Sequence, residues 1–189
     1  MKTASKVFFL WLPFAATITG VCLFTYATVQ QNYRQSLNDP QIQMAEDAAR
    51  ALGGGDLPAS LVPRGVPVID IATSLSPWIA VYDESHVTLE SSAVFWGAPP
   101  KPPAGVFEAA RGNQGKGTSQ PEQNRITWQP ESGVRSAIVV QHFAGSRPGY
   151  VIVGRSMREV EIREQNLASL VGTAWIALLI ATFLALSFL

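Results

Sequence analysis

The residues of this sequence that could do chemistry are few, and its two histidines come first. His86 and His142 are far apart in the chain, and the acidic residues Asp83 and Glu84 lie near His86 in sequence. Histidine metal ligands usually occur at a short spacing, often together with cysteine. The sequence therefore predicts no metal site, and each histidine is expected on a strand at the surface of a sheet.

Catalytic and nucleotide-binding motifs are also missing from the sequence. Serine is abundant, but nothing similar to the G-x-S-x-G motif of hydrolases occurs. Residues 112–118 are rich in glycine, yet a phosphate-binding loop would need glycine at Ala110 and serine or threonine at Gly117. We therefore expect no enzyme activity and no cofactor, and we interpret 112–118 as the tip of a loop.

Aromatic and arginine side chains indicate a different kind of chemistry, the binding of a small molecule. Aromatic rings supply large flat surfaces, and guanidinium groups pair with carboxylates or phosphates. The candidate ligand-binding residues are Trp78, Tyr82, Trp96, Arg111, Arg125, Trp128 and Arg135. In the alternative interpretation the aromatic residues fill the core and the arginines are solvated.

Two uncharged stretches of sequence are the first elements to consider in positioning these residues. Of the 189 residues, 47% are hydrophobic and 15% are charged, whereas a soluble domain usually carries about 25% charge. Residues 7–29 and 168–189 hold no charged side chain, and about 20 apolar residues can cross a bilayer as a helix. We expect both runs to be transmembrane helices in the lipid bilayer, with residues 30–167 forming a domain between them.

The flanking lysines predict the orientation. Lys2 and Lys6 precede the first run, and positive residues beside a span remain in the cytoplasm, while long domains cross regardless of charge. Residues 1–6 and the end of the second span are thus expected on the cytoplasmic side, and the domain outside. Three arginines before the second span favour the opposite orientation: Arg155, Arg158 and Arg163. A cleaved signal peptide is a further alternative for the N-terminus, although its apolar region would be shorter, about 7–15 residues.

The balance of charge and the single cysteine exclude two further classes. The chain has 14 basic and 14 acidic residues and no basic run, so it lacks the electrostatic surface of a nucleic-acid binder. Its only cysteine, Cys22, lies in the first apolar run. A disulfide scaffold is therefore excluded as well.

Between the two runs the pattern changes from helical to extended and back. Residues 30–52 predict an entry helix, which Asn38, Asp39 and Pro40 interrupt and three glycines at 53–55 end. The sheet region is 78–154, with strands predicted over 78–82, 86–89, 125–129, 136–143 and 150–154, a short helix over 105–111, and one short strand before them at 68–71. Residues 156–167 predict an exit helix, and the absence of glycine and proline makes it continuous with the second span.

This order of elements predicts an α+β fold. It is similar to that of a PAS-like or Cache-like sensor domain, a five-stranded antiparallel sheet with helices packed on one side. The other face of such a sheet can hold a small ligand or a partner. We therefore expect a PAS/Cache-like sheet with helices, flanked by two transmembrane helices.

Two boundary segments carry a resemblance to a known family. QQNYRQSLNDPQIQMAEDAA after the first span and GYVIVGRSMREVEIREQNL before the second resemble the extracytoplasmic boundaries of bacterial membrane-bound sensor histidine kinases. The layout of span, outer domain and span resembles the input half of these kinases. The resemblance implies a two-component signalling protein of the bacterial inner (cytoplasmic) membrane, with the central domain in the periplasm. It does not carry over kinase activity, because the sequence has no ATP-binding glycine motif and both histidines are expected outside.

The residues and the resemblance together predict a sensory or ligand-binding module that passes a signal through its exit helix. Since no output domain follows Leu189 in the sequence, the expected recipient is a separate kinase. We also expect a homodimer packed through residues 30–52, residues 157–167 and the spans, in which Ala16, Thr17 and Gly20 let two first spans approach closely. The alternative from another class is a structural or accessory membrane protein whose outer domain binds another envelope protein.

Overall fold

The structure is a computed structural model of the chain and describes residues 2–36, 39–62, 65, 67–112 and 123–188. The chain forms two compact units. Met1–Ser36 and Val160–Leu189 form the helical unit, and Leu37–Glu159 forms the sheet unit. The sheet unit is shorter at both ends than the predicted domain 30–167, because the helices that contain the spans extend beyond the uncharged runs.

The helical unit contains two long apolar helices, α1 (Lys2–Ser36) and α5 (Arg158–Ser187). Each is long and apolar enough to cross a membrane, over Lys6–Tyr33 and Arg158–Ser187 respectively. The coarse prediction of two helices that could span a membrane, one before and one after a mixed α+β domain, is therefore confirmed.

Two tryptophans join α1 and α5 within the helical unit. Trp11, near the start of α1, donates its indole N–H to the carbonyl of Leu179 at 3.1 Å and to the hydroxyl of Thr182 at 3.2 Å, near the end of α5. Trp175 donates its indole N–H to the hydroxyl of Thr19 at 2.9 Å. The helices are therefore antiparallel, and their polar contacts are of the kind that orients apolar helices in a bilayer.

The small residues predicted to pack two copies together lie on an open face of α1. Ala16, Thr17 and Gly20 are exposed, and a Cβ atom built on Gly20 would meet nothing within 4 Å. The pairing with α5 uses Thr19 instead. The homodimer through Ala16, Thr17 and Gly20 stays a prediction.

The sheet unit is built on five antiparallel strands in the order β3-β2-β7-β6-β5. The strands are β2 (Trp78–Asp83), β3 (Thr88–Ser91), β5 (Gln123–Glu131), β6 (Val134–Phe143) and β7 (Gly149–Ser156). Two short strands, β1 (Ile69–Asp70) and β4 (Ala93–Val94), pair in parallel in a separate sheet. The predicted α+β class and the five-stranded antiparallel sheet are confirmed.

Helices cover both faces of this sheet. On one face, α2 (Asp39–Gly53) buries Ala45, Ala48 and Leu52 against the strands. On the other, α4 (Ala104–Gly112) and the β1–β4 pair bury Phe107, Ile71 and Ala93. The expectation of helices on one side with the second face left open is wrong, because alternation along β2 gives both faces apolar residues that must be covered.

The predicted interruption of the entry helix separates α1 from α2. Residues 37 and 38 lie outside the described residues, and so does the capping role predicted for Asn38. After α2, a single turn of helix, α3 (Pro58–Leu61), follows the glycines. The predicted exit helix is continuous with the second span, because α5 runs from Arg158 to Ser187.

The prediction of a strand over 86–89 is wrong at His86. Its backbone has a φ of 63° and lies in the connection between β2 and β3. The side chain of Asp83 builds this turn by accepting the N–H groups of Ser85 at 2.9 Å and Val87 at 2.8 Å. Aspartate commonly forms turns in this way, and here it delays the strand to Thr88.

Candidate functional site

The three predicted aromatic residues that lie on strands β2 and β5 are in the core. Trp78 is 2% exposed, and Tyr82 and Trp128 are also buried on the sheet face that α4 covers. The rings of Trp78 and Trp128 meet edge to face with centroids 6.5 Å apart. Both side chains contribute packing to the core, and their role in binding a ligand stays a prediction.

Gly154 makes the position of Trp78 possible. The two residues are paired across β2 and β7, and a Cβ atom on Gly154 would overlap the indole of Trp78. The indole therefore lies across the backbone of β7. Its N–H is buried and has no hydrogen-bond partner among the described residues.

The phenol of Tyr82 joins the sheet to the proline-rich segment before α4. It donates to the carbonyl of Pro100 at 2.6 Å, and its ring meets that of Phe107 edge to face at 5.2 Å. Burial raises the pKa of Tyr82 above its usual value. The group therefore remains a protonated donor that fixes the residues leading into α4.

The other four predicted residues are exposed and lie in different parts of the sheet unit. Trp96 donates to Glu131 Oε2 at 2.9 Å, and Arg125 donates to Gln123 Oε1 at 2.8 Å. The carbonyl of Arg135 accepts the N–H of Met157 at 2.9 Å. Arg111 belongs to a larger polar cluster around Glu84. Three of the seven predicted residues are buried in the core and the other four are exposed at separate positions, so the described part of the chain does not bring all seven together.

The structure instead assembles a cluster that the sequence did not reveal, which we call the Glu84 cluster. It consists of Glu84, His86, Arg111, His142 and Tyr150. Glu84 lies in the turn after β2, and its two carboxylate oxygens contact His142 Nε2 at 2.7 Å and Arg111 Nη1 at 2.9 Å. One carboxylate thus links the β2–β3 turn to the end of β6 and to the last turn of α4.

Sheet register explains why these residues meet. Tyr82, Tyr150 and His142 lie side by side on β2, β7 and β6. Glu84, which follows β2 directly, therefore lies at the same end of the sheet as Tyr150 and His142. The ring of Tyr150 meets the imidazoles of His142 and His86 edge to face, with ring centroids 5.1 Å and 5.6 Å apart. The imidazole of His86 stacks on the ring of Phe107 with centroids 4.3 Å apart. The side chain of His142 is only 7% exposed, which differs from the surface position expected for it.

The environment of the cluster favours the neutral form of Tyr150. Burial raises the pKa of its phenol, the negative charge of Glu84 raises it further, and Arg111 opposes this effect. Tyr150 therefore remains protonated beside the Glu84 carboxylate. A carboxylate held between an imidazole and a guanidinium can fix three elements together.

The Glu84 cluster is not a metal centre of the usual kind. Among the described residues, no group of three or more histidine, cysteine, aspartate and glutamate side chains is placed to hold a metal ion. The glycine-rich stretch 113–118 lies outside the described residues.

A separate groove of about 470 Å³ lies between the end of α2, α3 and strand β3. Leu57, Leu89 and Phe143 form its apolar surface, while Glu90 and Arg147 add charge. None of the predicted ligand-binding residues lines this groove. No sequence pattern indicates this groove, because its residues come from loops, helix ends and strands that only the fold brings together.

Comparisons with known proteins identify no relative of this chain. No protein-family model matches the chain, and no curated protein or solved structure matches it.

Proposed function

We propose that this chain is a membrane-anchored sensory or ligand-binding module of the two-component signalling type. In this proposal the sheet unit lies outside the cytoplasm of a bacterial cell, and α1 and α5 cross the inner membrane. Lys2 and Lys6 support the orientation, since basic residues beside a first span are retained inside. The sheet unit receives a stimulus, and α5 passes it to a partner.

The observation that carries the proposal is the contact made by the first residue of α5. Arg158 donates through Nη2 to the carbonyl of Ala72 at 2.6 Å and through Nη1 to that of Thr73 at 3.4 Å. These carbonyls belong to the turn that follows β1, and the neighbouring Ile71 is buried in the core beneath α4. A movement of the layer that covers this sheet face would therefore act directly on the start of α5.

The backbone around Arg158 makes this link short and stiff. Strand β7 ends at Ser156, and its hydroxyl accepts the N–H of Arg158 at 3.3 Å. The next 30 residues, Arg158–Ser187, form one helix that includes the second candidate span. A shift between two arrangements of such a helix is an established way to transmit a signal, and it needs only a stimulus that binds the two states differently.

Cysteine crosslinking between copies tests the proposal. Ile162 is exposed on α5, so Ile162→Cys in a Cys22→Ser background reports how two exit helices approach each other. We expect the fraction of disulfide-linked dimer to change with at least one stimulus in a panel of pH, small organic acids, amino acids and divalent cations. Unchanged crosslinking across the whole panel would count against a sensory function.

A second candidate is an accessory membrane protein whose outer domain binds another envelope protein. Exposed Leu57, Val87 and Leu89 favour it, because they surround the edge strand β3, and exposed apolar residues at a sheet edge often mark a docking surface. Purification in mild detergent separates the two candidates. A co-purified kinase supports the sensory module, whereas an envelope-assembly complex supports the accessory protein.

A further inference from the structure

Trp96 occupies a turn that does not suit its side chain. Phe95 and Ala98 exchange two backbone hydrogen bonds of 2.7 and 3.2 Å, which leaves Trp96 and Gly97 as the two residues of a tight turn. Their φ angles are 51° and 77°, as in a type I′ turn. Such turns favour asparagine followed by glycine, and a bulky residue with positive φ is rare and strained.

The indole of Trp96 is also the most exposed of the aromatic side chains in the sheet unit. It is 76% exposed, whereas Trp78 and Trp128 are buried. Its N–H is held by Glu131 Oε2 at 2.9 Å, at the end of β5. The edge of the ring is therefore fixed, and the ring of Phe95 lies beside it with centroids 6.0 Å apart. Most of the remaining surface of the indole is open to solvent. Strain and exposure at one residue favour a functional role over a structural one.

Glu131 gives this exposed ring a charge preference. Its carboxylate is exposed, and it forms no salt bridge among the ion pairs of the described residues. An N–H that donates to a carboxylate shifts electron density into the indole, and an electron-rich ring face attracts cations. The ring and the carboxylate thus favour the same kind of partner group, a cation.

We propose that Trp96 and Glu131 form a docking site for an arginine side chain of a separate partner protein. A planar guanidinium can stack on the indole and donate to the free oxygen of Glu131 at the same time, which a lysine ammonium does less well. A free small cation is disfavoured as the occupant, because Trp96 lies on an open turn and small ligands bind in enclosed pockets. Tryptophan paired with arginine is typical of the anchor points of protein interfaces. This proposal does not depend on the sensory function.

The test uses the full chain in uncharged lipid nanodiscs with fluorine-labelled tryptophan. The ¹⁹F signal of Trp96 is assigned by its loss in Trp96→Asn and followed during titration with an acetylated Gly-Arg-Arg-Gly amide peptide. We expect a saturable shift of this signal alone, and no shift with the matched citrulline peptide. Equal shifts with both peptides would overturn the proposal, as would an equal response to guanidinium ion at the same concentration.

Affinities measured by anisotropy of the labelled arginine peptide supply the matched comparison. Glu131→Gln should weaken binding by about tenfold, the expected effect of losing a carboxylate beside a cation–π contact. Glu108→Gln removes an exposed carboxylate from α4 and should leave the affinity unchanged. Equal losses in the two variants would mean nonspecific charge attraction and would contradict the proposal. A Trp96 signal that changes on dilution without peptide would show a second copy as the occupant, and would contradict it too.

Discussion

At the scale of single residues, the packing of Trp78 depends on the absence of a side chain at Gly154. A Cβ atom there would overlap the indole, and overpacking a core usually costs about 1–3 kcal/mol. We expect Gly154→Ala to lower the free energy of unfolding by this amount in urea titrations of the full chain in nonionic detergent. Gly105→Ala in α4 is the matched control, because a Cβ atom there meets nothing within 4 Å. A Gly154→Ala variant as stable as this control would show that Trp78 does not lie across β7.

Trp96 is expected to lower the stability of the protein. Trp96→Asn gives the turn its favoured residue pair and should raise the free energy of unfolding by about 0.5–1 kcal/mol. Gly97→Ala should do the opposite, since its φ of 77° suits glycine. Thermal unfolding of both variants measures the difference. A clear loss of stability in Trp96→Asn would mean that the hydrogen bond to Glu131 outweighs the backbone strain.

Tyr82 provides a test that depends on pH. Burial raises the pKa of its phenol, so the folded state keeps a proton that the unfolded chain releases near pH 10. The stability linked to this proton is complete below about pH 10 and is lost as the pH rises further. We expect Tyr82→Phe to be less stable at pH 8 by about 1 kcal/mol, because Pro100 loses its donor. Between pH 10 and 11 its stability should fall less steeply than that of the wild type, and equal slopes in urea titrations would contradict this assignment.

At the scale of elements, Arg158 couples the start of α5 to the turn after β1. Removing its side chain frees the carbonyls of Ala72 and Thr73, while the backbone of α5 remains intact. We expect Arg158→Ala to speed amide hydrogen exchange in residues 69–74 by about tenfold. This corresponds to a decrease of about 1.4 kcal/mol in the free energy of local opening. Arg147→Ala, in the exposed connection between β6 and β7, should leave these amides unchanged. Equal exchange rates in Arg158→Ala and the wild type would show that the Arg158 contact does not stabilise the turn, and this would contradict the proposed route of the signal.

Most elements could be predicted from the sequence because local patterns determine them. Helices are located by the uncharged runs and by the glycines at 53–55, and a strand is located by the alternation along β2. None of these patterns depends on how the elements pack. His86 shows the limit, since Asp83 forms a turn that overrides the β-favouring residues around it. The helix α4 was placed correctly along the chain, but the face it covers depends on contacts that no local pattern contains.

The candidate site could be predicted only in part, and for a similar reason. The pairing of Arg111 with a carboxylate or phosphate of a ligand stays a prediction, and in the structure Arg111 pairs with the chain's own Glu84. Glu84 and His142 are 58 positions apart, so their contact depends on strand order and register rather than on spacing. Trp78, Tyr82 and Trp128 share a face as alternation allows, but burial in the core leaves their surfaces occupied by neighbouring side chains.

At the scale of the whole molecule, the α+β sheet unit is connected to the helical unit by one continuous helix, α5. The helix begins in the sheet unit and continues through the helical unit, so it belongs to both. In the proposed function, a change at the sheet unit alters the arrangement of α5.

Crosslinking of α5 in native membranes tests this claim without knowledge of the stimulus. Ile162→Cys in a Cys22→Ser background is combined either with Arg158→Ala or, as the control, with Arg147→Ala. We expect Arg158→Ala to change the fraction of disulfide-linked dimer by at least about twofold, as a shift between two populated arrangements requires, and Arg147→Ala to leave it unchanged. The same fraction in both variants, or no dimer in either, would contradict the claim that α5 carries a signal.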